Sequence, residues 1–198
     1  SAAARLITVP VAPTPLQPEA TVTTGLPRLT PREAQAKGAR SIVIGVANTG
    51  GVLKPGWVPS LVAALEAGLD VVSGMHGRLS TSIELKSAAD RLRRRLIDVR
   101  QPPTHIPVGT GRKRAGRRLL TVGTDCALGK KYTALALADA FGRRGLDADF
   151  RATGQTGIMI AGCGMPMDAV VSDFIAGAAE ILSPDAAPAH WDVIEGQG

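Results

Sequence analysis

A chain of 198 residues has room for one large domain or two small ones and can bury a real apolar core. Hydrophobic residues make up 44% of it and aromatics only 3%, so Val, Ile, Leu and Ala must do the packing, and no apolar run approaches the ~18 residues of a membrane span. The net charge of +6 is concentrated between Arg91 and Arg118, where ten Lys or Arg meet one acid (Asp98) and no interleaved aromatic, which reads as a solvated basic stretch beside a helix face rather than a nucleic-acid surface.

Arg5 to Pro10 reads as a short strand, and Pro10, Pro13, Pro15, Pro18 and Pro27 then break up an extended stretch. The opening "SAAARLITV" has neither the charged leader nor the apolar core of a signal peptide. "TPREAQAKGA" reads as a short helix: Thr30 caps it, Pro31 opens it, Glu33 takes the third position and Gly38 stops it. "RSIVIGVA" is a buried strand, followed by the glycine loop "NTGGVLKPG". Val58 to Ala67 is helical with Gly68 as its stop, and "LDVVSG" is the next strand, which completes a β-α-β unit with parallel strands. A helix over Ser82 to Arg94 and a strand near "RLIDVR" complete this half.

Residues 101–117, with three prolines, three glycines and a basic cluster, read as a linker between a domain over 1–100 and a second over 118–198. The second half runs strand Arg118 to Val122, loop, helix Lys130 to Arg144 and strand Ala148 to Ala152. A glycine-rich loop, a helix from about Pro166 to Ile181 and a strand "HWDVIEG" follow. The fold class is α/β, a Rossmann-like unit followed by a second parallel-sheet unit. A last strand with no helix after it, and a first residue that is not Met, read as a piece of something longer.

Gly123, Gly129 and Lys130 follow a strand and open a helix, the context in which backbone N–H groups and a lysine surround a phosphate. Five residues separate the glycines, where the common pattern has four. A P-loop nucleotidase holds Mg²⁺ with the hydroxyl after the lysine. Here that residue is Lys131, which has no lone pair to give, and Thr133 lies ~200° further round the helix. The loop suits a phosphorylated cofactor better than a hydrolysed one. Gly123, Thr124, Asp125, Cys126, Gly129, Lys130, Lys131 and Tyr132 form the expected cofactor-binding set, and no metal is expected. Cys126 is either a small loop filler or an acyl carrier. With Cys163 it fits no zinc or CxxC spacing, and a cytoplasmic protein is expected.

In "FRATGQTGIMIAGCGMPMDAVVSDFIAGAAE", Arg151 and Gln155 stand at a strand's carboxyl end, where α/β ligands bind. Asp168 and Asp173 fall in the first turns of the next helix; for Asp173 the role is to complement the helix dipole. Glu195 ends a strand facing the phosphate site, with structural and functional roles evenly matched. The loops carrying Asn48 and "SGMHGRL" should share the ligand edge of the first sheet, with His76 and Arg78 as a base and a carboxylate clamp. Asp168, Glu195 and His76 are the candidate catalytic bases, and Asn48, Arg78, Arg151 and Gln155 the candidate substrate contacts.

"GVANTGGVL", "WVPSLVAALEAGLDVVSGMH", "VGTDCALGKKYTALAL", "FRATGQTGIMIAGCG", "DAVVSDFIAGAAE" and "WDVIEGQG", in that order, resemble a two-domain bacterial family long described as a domain of unknown function. That family includes the DgcN-type D-glutamate N-acetyltransferases. The resemblance implies a Rossmann-like N-terminal half, a P-loop C-terminal half, and acetyl transfer from acetyl-CoA to the amine of a small amino acid, D-glutamate first. The partners expected are that amino acid and CoA, with no nucleic acid or membrane, in a homo-oligomer. An ATP- and Mg-dependent ligase or kinase is the competing class, since "VIEGQG" resembles the "VEGAGG" turn of dethiobiotin synthetase. A nucleotide-binding module without chemistry is the third.

Overall fold

The computed structural model describes residues 27–46, 48 and 50–197, which divide into two compact units between Asp98 and Val99. The strand expected over Arg5 to Pro10 and the proline stretch up to residue 26 lie outside the described residues.

In the first unit, α1 (Pro31–Ala36) starts at a capping box, with Glu33 N donating to the Thr30 hydroxyl and Thr30 N donating to the Glu33 carboxylate. β1 (Ser41–Ile44), α2 (Val58–Glu66), β2 (Asp70–Ser73), α3 (Ile83–Leu92) and β3 (Leu96–Asp98) follow. The sheet has the order β1-β2-β3 and is parallel, with Ile42 opposite Val71 and Val71 opposite Leu96. On α2, Leu61, Ala64 and Leu65 form the i, i+3, i+4 stripe that a helix buries on a sheet, and all three are buried with Ile42, Leu69, Val71 and Leu85. The carboxyl ends of β1 and β2 therefore lie side by side.

The second unit contains β4 (Arg117–Leu120), α4 (Lys130–Arg143), β5 (Ala148–Arg151), α5 (Gln155–Ala161), α6 (Ile175–Leu182) and β6 (Trp191–Ile194). Its parallel sheet has the order β4-β6-β5, so the strand that feeds the phosphate loop lies beside the strand that ends at Glu195. α4 packs on the sheet through an edge-to-face pair, Phe141 on Trp191 at 5.3 Å. Part of the basic stretch runs along α6. Thr110 N and Gly111 N donate to the Glu180 carboxylate at 2.9 Å, and Arg114 donates to the carbonyls of Ala179 and Ser183. The approach is close enough that a Cβ on Gly177 would stand 1.8 Å from the Pro107 carbonyl oxygen.

Two expectations need correction. The helix expected over Pro166 to Ile181 begins only at Ile175, after single 3₁₀ turns at Met167–Ala169 and Ser172–Phe174. The β-branched pair Val170–Val171 between them is extended (ψ 132° and 136°), which stops the helix from running through. Conversely, the glycine-rich loop contains α5, which the glycines obscured: Gly154 starts it in extended conformation and Gly162 ends it at φ 74°.

At the amino edge of the second sheet, polar groups take the place of an apolar core. Asp192, 1% exposed, accepts from Arg151 Nε at 2.6 Å and from the Ser183 hydroxyl at 2.5 Å. Burial pushes the Asp192 carboxyl up, but the Ser183 and Arg151 hydrogen bonds outweigh it and hold it below its ordinary pKa. His190 spans two strands' starts, with Nδ1 2.8 Å from Asp147 and Nε2 3.2 Å from Asp192. The hydrogen bond to Asp147, above all, raises the His190 pKa against the opposing effect of burial, and Asp192 adds to the rise.

A histidine whose folded pKa lies above the unfolded value of about 6.5 contributes stability that is fully present below that value and is lost as pH rises through the folded one. His190→Asn should therefore lower the melting temperature most near about pH 6, with the gap to the parent closing as pH climbs past the histidine range. Melting curves of both proteins across that range check this, and a constant gap would remove His190's charge from the account.

Candidate functional site

The second sheet's carboxyl edge is built around Thr121, the residue after β4. Its hydroxyl lies 3.1 Å from the Lys130 carbonyl and 3.3 Å from the Ile194 carbonyl, and it accepts from Gly196 N at 3.2 Å. One side chain thus joins the loop strand, the first residue of α4 and the end of β6. A Cβ on Gly196 would stand 1.8 Å from the Thr121 carbonyl oxygen, so only glycine fits there.

The loop between Thr121 and α4 turns through two left-handed residues, Ala127 (φ 56°) and Gly129 (φ 93°). Lys130 is 9% exposed; its stem passes over Gly123, and its Nζ donates to the Asp125 carbonyl at 2.5 Å. The ammonium therefore curls back inside the loop, as a phosphate-cradling lysine would. The Asp125 carboxylate accepts from Cys126 N at 2.6 Å, and Thr124 is exposed. Lys131 leaves the helix on another side, with Nζ 4.4 Å from the centre of the Tyr132 ring.

Beside the loop lies a pocket of about 460 Å³. It is lined by Cys126 to Tyr132, by the start of α5 at Gln155, by Glu195 to Gln197 and by Arg100. Glu195 is 6% exposed, and its Oε2 accepts from Thr153 N at 3.0 Å and Gly154 N at 3.1 Å. Its Oε1 has no hydrogen-bond partner among the described residues. One carboxylate oxygen is fixed by two amides, and the other is left for the pocket. Two glycines make the room: a Cβ on Gly157 would stand 2.2 Å from Oε2, and one on Gly154 3.2 Å from Oε1.

Of the residues singled out in the sequence, Cys126, Gly129, Lys130, Lys131, Tyr132, Gln155 and Glu195 come together at this pocket. Asp168 lies in the 3₁₀ turn rather than in a helix's first turn, ion-paired with Arg100 through Nε at 2.8 Å. Arg151 turns to Asp192 at 2.6 Å and Asp149 at 3.2 Å. With His190, these two aspartates place three ligand-type atoms within 4.8 Å of one another, and the Arg151 guanidinium already lies against them. In the first unit the loops after β1 and β2 meet as expected, with Gly77 N donating to the Gly51 carbonyl at 3.0 Å. The exposed His76 packs on Gly51, where a Cβ would stand 2.7 Å from its ring. Asn48 Nδ2 donates to the Val52 carbonyl, and its buried Oδ1 has no partner among the described residues.

Three residues near these sites escaped the sequence reading. Arg100 and Gln197 line the pocket, and Gln197 Nε2 donates to the Thr153 hydroxyl at 2.9 Å. At the end of β3, burial pushes the Asp98 carboxyl up, against the Leu79 amide hydrogen bond and the nearby Arg78 charge. "EGQG" directly after a strand was a usable signal for Gln197; an arginine in a basic run carried none.

A parallel Rossmann-like unit followed by a parallel unit with a lysine-bearing phosphate loop defines a two-domain α/β protein of the P-loop class. The chain belongs to the DUF1611 family: residues 18–102 match its N-terminal Rossmann-like domain and residues 107–198 its C-terminal P-loop domain, both described as domains of unknown function. A D-glutamate N-acetyltransferase from Pseudoalteromonas sp is 51% identical over 178 residues, which is 90% of this chain and 54% of that protein. A D-glutamate N-acetyltransferase from Tritonibacter scottomollicae is 51% identical over 88% of this chain and 52% of its own. A crystal structure of a DUF1611 family protein from Anabaena variabilis superposes with a TM-score of 0.77 at 36% identity, covering 87% of this chain and 51% of that one. The chain spans about half the length of the curated relatives it matches. Among the described residues, no helix is long and apolar enough to cross a membrane.

The glycine beneath the Glu195 carboxylate gives a test of opposite signs. Inside α5, Gly157→Ala should stabilise by about 1 kcal/mol on helix propensity alone. The methyl's collision with Oε2 opposes this with an overpacking cost of ~1–3 kcal/mol, so a net loss on chemical denaturation is expected. A stabilised variant would mean that Glu195 is not held as described.

Proposed function

We propose that the protein transfers the acetyl group of acetyl-CoA to the amine of D-glutamate, with the P-loop pocket holding CoA phosphates. The observation that carries this reading is a pair of lysines opening α4 with no hydroxyl directly after the buried one. The names and 51% identity of the two curated relatives support the acceptor and the reaction. The loop offers backbone N–H groups and the Lys130 ammonium, donors of the kind that suit phosphate oxygens.

Acetyl-CoA, when bound, supplies an activated acyl thioester. Lys130 Nζ exchanges the Asp125 carbonyl for a phosphate oxygen, and Thr121 keeps the first turn of α4 in register while it does so. Glu195 is our choice of general base: its Oε1 takes the proton from the amino acid's ammonium nitrogen, and the two amides on Oε2 fix its aim. Arg151 is set aside as a contact for the acceptor carboxylate, because two aspartates already occupy it. Exposed, unpaired Cys126 and Cys163 are compatible with a cytoplasmic enzyme.

A carboxylate beside a phosphate loop also serves ATP-dependent enzymes as a holder of Mg²⁺, and that is the competing reading. Melting temperatures of the full-length protein separate the two. CoA without Mg²⁺ should stabilise it, by about 2.7 kcal/mol at a hundredfold excess over the dissociation constant. Strong stabilisation by Mg-ATP together with indifference to CoA would end the acetyltransferase reading. Lys130→Ala should weaken CoA about ten- to a hundredfold, as expected for one charge-assisted phosphate contact, and Lys131→Ala much less. Equal losses would assign binding to general charge rather than to loop geometry.

Glu195→Gln keeps the shape and the Oε2 contacts but cannot accept a proton from the amine. It should lower kcat for D-glutamate acetylation by roughly 10²–10⁴ while leaving CoA binding within a few-fold. An unchanged kcat would move the base elsewhere.

A further inference from the structure

The pocket has a third cation, which the P-loop pattern does not supply. Arg100 lines it beside Lys130 and Lys131. Its Nε and Nη2 both donate to Asp168 Oδ2, and the two side chains are only 17% and 23% exposed. The turn that carries Asp168 is itself fastened: Met167 N donates to the Thr153 carbonyl and Met165 N to the Ala152 carbonyl, each at 3.0 Å. Thr153 is also the residue whose amide holds Glu195 Oε2. Arg100 is therefore indexed, through Asp168, to the same segment that sets the base.

A guanidinium has five N–H donors in a planar fork and can serve a carboxylate and a second anion at once. Fixing one edge by an ion pair removes most of the rotamer entropy that an arginine would otherwise lose on binding. We propose that Arg100, oriented by Asp168, forms a second anion subsite of this pocket, taking a phosphate group that the loop itself does not hold. In this arrangement Asp168 is a positioning residue and not a base. The inference rests on the acetyl-CoA reading for its ligand: CoA carries a pyrophosphate, suited to the loop, and a separate 3′-phosphate, suited to Arg100.

The test uses full-length protein and three probes: inorganic pyrophosphate, CoA and dephospho-CoA, which lacks the 3′-phosphate. Arg100→Gln should weaken CoA about ten- to a hundredfold, down to the level of dephospho-CoA, with pyrophosphate and dephospho-CoA unchanged within twofold. Asp168→Asn should weaken CoA in the same selective way and leave the pH profile of acetyl transfer in place. Arg100→Lys, which keeps the charge without the fork, should recover only part of the loss. Equal weakening of all three probes would show a structural role and overturn the subsite, as would undiminished CoA binding in Arg100→Gln. If the parent protein binds pyrophosphate and ATP but ignores CoA, the acetyl-CoA reading fails alone. The subsite then stands if Arg100→Gln weakens ATP selectively over pyrophosphate, and falls if it does not.

Discussion

The candidate site depends on one buried carboxylate being held in place. Glu195 closes β6, and its Oε2 is gripped by the amides of Thr153 and Gly154 just beyond β5. A polar side chain this deep is costly unless hydrogen-bonded, and the two amides satisfy one of its oxygens while fixing the ends of neighbouring strands at a constant spacing. The requirement then propagates. Gly154 and Gly157 must lack side chains to admit the carboxylate, and Gly196 must lack one to let β6 meet Thr121. The glycine-rich character of this region is thus a packing consequence of Glu195 as much as a device for approaching a ligand.

The two units are stabilised by different means. The first buries Leu61, Leu65, Leu69, Val71 and Leu85 in a continuous apolar cluster, the ordinary consequence of a helix stripe on a parallel sheet. In the second, the compact apolar cluster is small, built on Met165, Val170 and Ala178, and ions bind the amino edge of the sheet. Arg118, Ser183, Asp192, Arg151 and His190 are linked by hydrogen bonds with Asp192 at the centre. A buried network of this kind rewards complete satisfaction and penalises any gap, so it specifies geometry more strictly than an oily contact does.

Legibility in the sequence followed the range of the forces involved. The alternation of strands and helices, the capping box at Thr30 and the phosphate loop rest on neighbours a few residues apart, and all could be read. α5 could not, because Gly157 lowers helix propensity for a reason located at Glu195, thirty-eight positions away. The late start of α6 was hidden by its apolar periodicity, which a pair of valines interrupts only through their backbone preference. Arg151 was expected to contact substrate and Asp168 to act as a base, but each meets an ion of its own chain, Asp192 and Arg100, that is distant in sequence. No local pattern says whether an arginine at a strand's end will meet a ligand or an aspartate of its own chain.

Lys131 stands directly after the P-loop lysine. In a metal-using loop that position turns a hydroxyl toward the phosphates, where it helps to share Mg²⁺ with the nucleotide. Here Lys131 turns its ammonium over the Tyr132 ring, at a distance where a cation–π contact adds a modest preference for that direction. Cations on separate stretches of the chain line the pocket: Lys130 and Lys131 at the start of α4 and Arg100 ahead of β4. Fixed cations need no dehydration of a metal ion at each binding event, but they cannot follow charge that moves during a reaction. Under the proposed acetyl-transfer reading, the pocket would hold the phosphates of a CoA thioester, which stay intact while chemistry happens at another atom of the ligand.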